Sequence, residues 1–379
     1  MIFSVITILN RNLSSKIIHL RENSTVPPPK EPIVTLLNAA TGIGKNVALL
    51  LKQSPYIGEL RLYDANKTIR GIAEDLSHID TKAQIKSFSG QMVLKDAITD
   101  ANVVVIVGGD RESSKETLND TFDKNVDDVR ILALNMTEFN PNAIFCIAKP
   151  PVEALVPLVS EEYKKAGVYD WTKIFGIKNS VSMIANSIIA AKDKQKPIDV
   201  ICPIVGGLSN ECLVAILSQV RPKTKTTLSS DVQKQIVGTE NEILKLHENC
   251  KGMYLMPALG IYRFINSLIK AYNGDTNCVE CAFVRQTGHI GNFLPYMTSI
   301  IKLGRHGISS THMPKMNGEE GHALQKAAVR IKKCIRLGES FVTGEPQTIY
   351  ETTVDQSKKE ISAQKYIDKQ TEPNLIKTT

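Results

Sequence analysis

Ile33-Val34-Thr35-Leu36-Leu37 is a short apolar run that opens directly into Asn38-Ala39-Ala40-Thr41-Gly42-Ile43-Gly44-Lys45. Small residues straight after a buried strand let a helix begin close to it, and the amides at such a helix start bind phosphate. Turns that do this for a dinucleotide read G-x-G-x-x-G or G-x-x-G-x-x-G, so that backbone meets pyrophosphate with no Cβ between them. Gly42 and Gly44 are present here, while Asn38 and Thr41 stand where glycines are expected. Asp64 ends the next alternating segment, 59–64. A carboxylate at that place takes the ribose hydroxyls of NAD and disfavours the 2′-phosphate of NADP. Gly42, Ile43, Gly44 and Asp64 are therefore the candidate NAD contacts, and the Cβ of Thr41 is expected to weaken the hold on phosphate. The competing reading makes the turn a plain strand–helix junction and Asp64 a helix cap.

Other reactive residue types form weaker patterns. Cys278 and Cys281 make a CxxC pair, but no second pair or histidine set stands at zinc spacing, and 278–284 reads as a strand. Core packing is the expectation for both. The seven cysteines are an odd, scattered set, which points to reduced thiols rather than a disulfide framework. His247, His289, His306, His312 and His322 sit at no catalytic or ligand spacing. The 46 lysines and arginines stand against 39 acids and are dispersed, and aromatics are 6%. That balance argues against a nucleic-acid partner. No run reaches the roughly 18 apolar residues of a membrane span.

The elements that must position these residues follow from pattern. Buried strands are expected at 33–37, 101–109 and 142–148, an alternating one at 59–64, with helices between them. That order predicts an α/β fold, an N-terminal Rossmann-type doubly wound parallel sheet. A helix over 180–191, the strand at 278–284 and a long helix over 322–338 predict a mixed α/β substrate domain after it. The division is 33–176 for the dinucleotide-binding domain and 177–350 for the second, with the boundary near Gly176. Residues 1–32 carry Arg11, Lys16 and Arg21, serines and isoleucines, with no acid before Glu22, then Val26-Pro27-Pro28-Pro29. They read as a transit peptide and linker, which places the protein in the mitochondrial matrix; a loose tail is the blander reading. Residues 351–379 read as a polar disordered tail.

Several phrases identify a family. Leu62-Tyr63-Asp64, Glu74-Asp75-Leu76-Ser77-His78-Ile79, Lys164-Lys165-Ala166-Gly167-Val168-Tyr169, Lys173-Ile174-Phe175-Gly176, Pro203-Ile204-Val205-Gly206-Gly207 and Val279-Glu280-Cys281 occur in that order. Together they resemble the mitochondrial-type NAD-dependent malate dehydrogenases from about residue 33 to 341. The resemblance implies a Rossmann domain, an α/β substrate domain, a homodimer, and the interconversion of malate and oxaloacetate.

The same resemblance implies that the chemistry has been removed. The family takes the hydroxyl proton with a histidine polarised by an aspartate. The histidine position, directly after the Gly-Gly pair, is Leu208, and the aspartate position is Val181. Neither side chain carries a proton. The family grips its dicarboxylate with arginines, whose guanidinium pairs a carboxylate bidentately. One survives as Arg111, whose competing reading is an exposed loop arginine; the others align with Leu118 and Ile184. An asparagine near the nicotinamide aligns with Lys149 and a cofactor-touching methionine with Pro257. Asn125 matches a cofactor contact, or is a buried polar contact of its helix; His78 reads as structural. Apolar residues at Leu118, Val181, Ile184 and Leu208 are expected to turn a wet anion pocket into apolar filling.

The resulting expectation is a malate dehydrogenase-like pseudoenzyme with a structural, partner-binding or regulatory role, as a homodimer or a mixed dimer with a paralogue. The rival is an active 2-hydroxy-acid dehydrogenase with another proton carrier, acting on a small 2-oxo acid held by Arg111 alone. A third class is a cofactor-sensing module that binds NADH without chemistry.

Overall fold

The computed structural model describes residues 31–109, 116–225, 228, 230–246 and 255–344. Residues 1–30 of the expected transit peptide and linker, the expected tail from 351 and Arg111 lie outside them. Residues Pro32–Thr379 form one unit.

Six strands make the parallel half of the sheet: β1 (Ile33–Leu37), β2 (Glu59–Asp64), β3 (Gln84–Ser89), β4 (Val103–Ile106), β5 (Ile144–Ile147) and β6 (Ile174–Gly176). They lie in the order β3-β2-β1-β4-β5-β6, and all pairings among them are parallel. Between them run α1 (Gly42–Lys52), α2 (Ile69–Ser77), α3 (Leu94–Ile98), α4 (Leu118–Phe139) and α5 (Val152–Lys165). Alternation along a strand sends neighbouring side chains to opposite faces, and both faces here are covered. Val104, Ile106, Phe145 and Ile147 pack in one cluster with α4 and α5; Val103, Val105, Ile144 and Cys146 pack in another with α1 and α2. Strands buried on both sides must be apolar throughout, which is why they read as unbroken runs.

The second half is mixed. It contributes α6 (Ser180–Asp193), β7 (Ile204–Gly206), β8 (Leu213–Ala215), α7 (Ser230–Leu246), α8 (Leu255–Tyr272), β9 (Val279–Arg285), α9 (Gly288–Phe293), β10 (Tyr296–Gly304), β11 (Gly307–His312) and α10 (Gly318–Thr343). Its strands pair antiparallel, and β9 joins them to the parallel half by pairing with β6. One 11-stranded sheet therefore runs through both halves. The α/β fold, with a Rossmann-type parallel sheet first, is as the sequence predicts.

Element ends differ from expectation for local reasons. β4 is shorter than 101–109 because Gly108 and Gly109 turn the chain aside at φ 89° and 66°. Helix α10 outruns 322–338 because Asn317 and Glu320 form a reciprocal capping box at its start. Gly344 in the left-handed region ends it. No helix among the described residues is long and apolar enough to cross a membrane.

Candidate functional site

The C-terminal edge of the parallel strands carries two adjoining features, a turn at β1 and β2 and a cleft farther along. At the turn, Thr41 is the N-cap of α1: its Oγ1 accepts the N–H of Gly44 at 3.1 Å and donates to the Asn38 carbonyl at 2.8 Å. The hydroxyl thus occupies an amide at the helix start, where a phosphate oxygen is otherwise accepted. Gly44 is required by close approach, since a Cβ there would stand 2.5 Å from the Asn38 carbonyl oxygen. Asn38 itself has φ 61°, a conformation asparagine tolerates better than most residues.

Asp64 sits at the end of β2 and is nearly buried. Its Oδ2 accepts the N–H of Ala40 at 2.9 Å and its Oδ1 that of Asn66 at 2.8 Å. The carboxylate therefore braces the turn. Beyond it, Asp128 on α4 accepts from the Asn38 amide at 3.0 Å and is bonded to the Lys149 ammonium. Burial alone would raise the Asp128 carboxyl, but Lys149, with Asn38, holds it below the usual carboxylate range. Burial, then the charges of Asp128 and Asp64, push the Tyr63 hydroxyl up. Asn125 is buried, and its amide donates to the carbonyls of Gly109 at 2.9 Å, Thr121 at 3.0 Å and Pro150 at 2.7 Å. It ties α4 to the ends of β4 and β5.

The cleft, about 680 Å³, opens where the starts of α4, α5 and α6 converge with the loop after β7. Among the sequence-nominated residues it brings together Ile43, Leu118, Leu208 and Pro257. Leu208 is 3% exposed and belongs to the apolar cluster under α5 and α10. Val181 and Ile184 do not line it. They are buried in a separate cluster with Val232 and Ile236 of α7. The two positions that the resemblance assigns to a proton dyad are thus both core, in different clusters. Lys149 does not line the cleft either, because its ammonium is drawn onto Asp128; Pro150, the next residue, does.

The expectation of plain apolar filling is corrected by the other residues in the lining. Glu116, Glu153, Glu211 and Glu240 line the cleft, with Lys178, Arg330 and Lys333. Lys178 pairs Glu240 and Arg330 pairs Glu211, both at 2.7 Å. Glu153, in the first turn of α5, is 3% exposed, and its Oε1 accepts the N–H groups of Leu208 at 2.8 Å and Ser209 at 2.7 Å. Gly207 is needed for this approach, as a Cβ there would meet Cys212 and Glu153 at 2.1 and 2.9 Å. Sequence reasoning missed Glu153, although a lone acid inside the apolar stretch 151–160 was a signal. It also missed the capping role of Thr41 and the Asp128–Lys149 pair, whose partners lie far apart in the chain.

No histidine lines the cleft among the described residues. The described cysteines are free thiols, Cys278 and Cys281 among them. Burial pushes Cys281 up to about 11 and Cys202 and Cys334 up to about 12. Such thiols are inert packing groups rather than nucleophiles.

Comparison with known proteins agrees with this geometry. Residues 33–176 match the family model described as lactate/malate dehydrogenase, NAD binding domain. The chain is 33% identical over 330 residues to the mitochondrial malate dehydrogenase of Bos taurus, covering 85% of this chain and 95% of that one. It is 34% identical over 314 residues to the chloroplastic malate dehydrogenase of Arabidopsis thaliana, covering 81% and 77%. Its fold is shared with a Cryptosporidium parvum malate dehydrogenase structure at 21% identity and TM-score 0.70, covering 82% of this chain and 99% of that one. An Eimeria maxima lactate dehydrogenase solved with NADH and oxamate aligns at 17% identity and TM-score 0.70, covering 86% and 100%. A parallel sheet with a phosphate-type turn at β1, an acid at the end of β2 and relatives matched over most of their length all point one way: the chain carries the NAD-binding domain of the lactate/malate dehydrogenases and belongs to that family.

Proposed function

We propose that this chain is a malate dehydrogenase-like pseudoenzyme that keeps the fold and an NAD site but does not run the proton transfer. The observation that carries it is Leu208: at the position resembling the proton carrier stands an aliphatic side chain, 3% exposed and packed into the core. Val181, at the partner position, is buried in another cluster. A positioned base or acid contributes about 10²–10⁴-fold to such reactions, and neither residue can supply one.

The surviving role is structural or regulatory, as a homodimer or a mixed dimer with a paralogue in the mitochondrial matrix. NAD(H) is held at Gly42, Ile43, Gly44 and Asp64, with Asn125 positioning the loops around it. If NAD(H) is bound, it would supply a hydride donor and acceptor. The Thr41 hydroxyl competes for the amide of Gly44 and lowers affinity. An active dehydrogenase with another proton carrier is the rival, acting on a small 2-oxo acid with Arg111. Of the cleft carboxylates, Glu153 is the one bonded to the backbone of Leu208.

The test is oxaloacetate-dependent NADH oxidation by the purified full chain, with a mock preparation from host cells lacking the chain run in parallel to expose contaminating host enzyme. The expected result is no turnover above background. Turnover of about 1 per second or more, within the ordinary enzyme range, sinks the pseudoenzyme reading in favour of the rival.

A further inference from the structure

The family resemblance implies a cleft built for a double anion, yet the most deeply held charge in this cleft is negative. Glu153 lines it beside Leu208. Its Oε1 takes the two backbone N–H groups and lies 3.5 Å from the Cys212 thiol. Among the described residues all its hydrogen bonds run through Oε1 and it forms no ion pair, so Oε2 is the oxygen left for an entering group. The cleft cations do not answer it: Lys178 and Arg330 hold Glu240 and Glu211, and Lys333 is exposed at the rim. A buried carboxylate without a cation is costly, and it disfavours a second anion nearby.

Ser180 is an independent observation. It is 1% exposed at the start of α6, lines the same cleft, and its buried Oγ has no hydrogen-bond partner. A buried hydroxyl without a partner is free to accept from a group that enters beside it. An ammonium offers three donors and no acceptor, which suits a carboxylate and a hydroxyl together. Leu118, Val152, Ile177, Leu208, Pro257 and Ile261 supply apolar wall. The volume, about 680 Å³, is within the usual small-molecule range.

We propose that this cleft binds a small aliphatic amine as its ammonium ion, with Glu153 as counter-ion and Ser180 as second acceptor. The charge preference of the family site is thereby reversed. The proposal rests on the reading that the cleft no longer carries out proton transfer on a dicarboxylate.

The test compares three probes with one branched carbon skeleton: isopentylamine, isovalerate and isopentanol. Binding to the full chain is measured by calorimetry near neutral pH. The amine is expected to bind at least tenfold more tightly than either other probe. Glu153→Gln keeps an oxygen for the Leu208 and Ser209 amides and is expected to abolish that preference; Ser180→Ala is expected to weaken amine binding several-fold. Equal or better binding of isovalerate, no binding of the amine, or an unchanged preference in Glu153→Gln overturns the proposal. Should Glu153→Gln not fold, an unchanged amine affinity in Ser180→Ala overturns it. Oxaloacetate turnover in the same preparation separates the two claims. Without turnover and without amine preference only the present proposal fails; with turnover the pseudoenzyme reading fails.

Discussion

The edge of the sheet at β1 and β2 and the loop after β7 have moved in opposite directions. At the first, both positions that depart from the glycine pattern are polar and bonded: Thr41 caps α1 and Asn38 reaches Asp128, beside Asp64, which accepts two backbone amides. At the second, Leu208 is buried and apolar, as are Val181 and Ile184 on α6, the other positions that resemble the proton dyad and the arginine clamp. A polar replacement that satisfies its neighbours keeps a site open for tuning. An aliphatic one merges the site with the core, because removing an unused buried polar group also removes its desolvation cost. Cofactor geometry and proton chemistry are therefore separable in this fold, and on the proposed reading only the first is kept.

The largest expected effect comes from treating Leu208 as core. Leu208→Ala should destabilise the protein by about 2–5 kcal/mol, the range for truncating a buried leucine, read as a fall in the urea midpoint. A loss below about 0.5 kcal/mol, as at an ordinary surface position, would show that Leu208 is a replaceable cleft lining. The contrast between the two edges would then collapse.

The next effect belongs to the first edge. Thr41→Gly frees the Gly44 amide and removes the Cβ from the turn, while glycine costs an N-cap only a few tenths of a kcal/mol. A hydrogen bond to a charged phosphate is worth about 1.5–3 kcal/mol, so NADH affinity should rise about tenfold or more. Fluorescence titration of NADH against wild type and variant reads this directly. Unchanged affinity would mean that the Thr41 hydroxyl is not what limits phosphate binding.

How much of this was legible before the structure depends on the range of the interaction. The α/β order, β1, β2 and the turn are local: a run of apolar residues, two glycines and an acid at the end of the next strand. The substitutions at Leu208 and Val181 were legible too, because Pro203–Gly207 and Phe175-Gly176 fix the register around them. Where each side chain points was not. Val181 and Ile184 face α7 rather than the cleft, a matter of helix rotation that spacing alone does not give. Glu153 meets Leu208 across 55 residues of chain, and Lys149 meets Asp128 across 21. Neither contact leaves a periodic trace. The cleft therefore keeps more charge than Leu118, Val181, Ile184 and Leu208 suggest in the sequence, and only Leu118 and Leu208 of these line it.

The smallest expected effect concerns the Asp128–Lys149 pair, which braces Asn38 at the first edge. The Asp128 carboxyl is held below its ordinary 3.8, burial opposing and Lys149 prevailing. A folded-state pKa that is depressed gives stability that is complete above the unfolded value and is lost as pH falls through the folded one. The pair's contribution should therefore fade only below about pH 4, with no change between about pH 5 and 8. Lys149→Met keeps the aliphatic stem in its buried place and removes the ammonium, so Asp128 should titrate nearer its ordinary value. The acid-side slope of the urea midpoint should then flatten. Asp128 is half exposed, so solvent screening limits the difference to under about 1 kcal/mol. An identical acid slope in wild type and Lys149→Met would mean that Asn38 alone holds the turn, and that the first edge owes its geometry to the backbone rather than to charge.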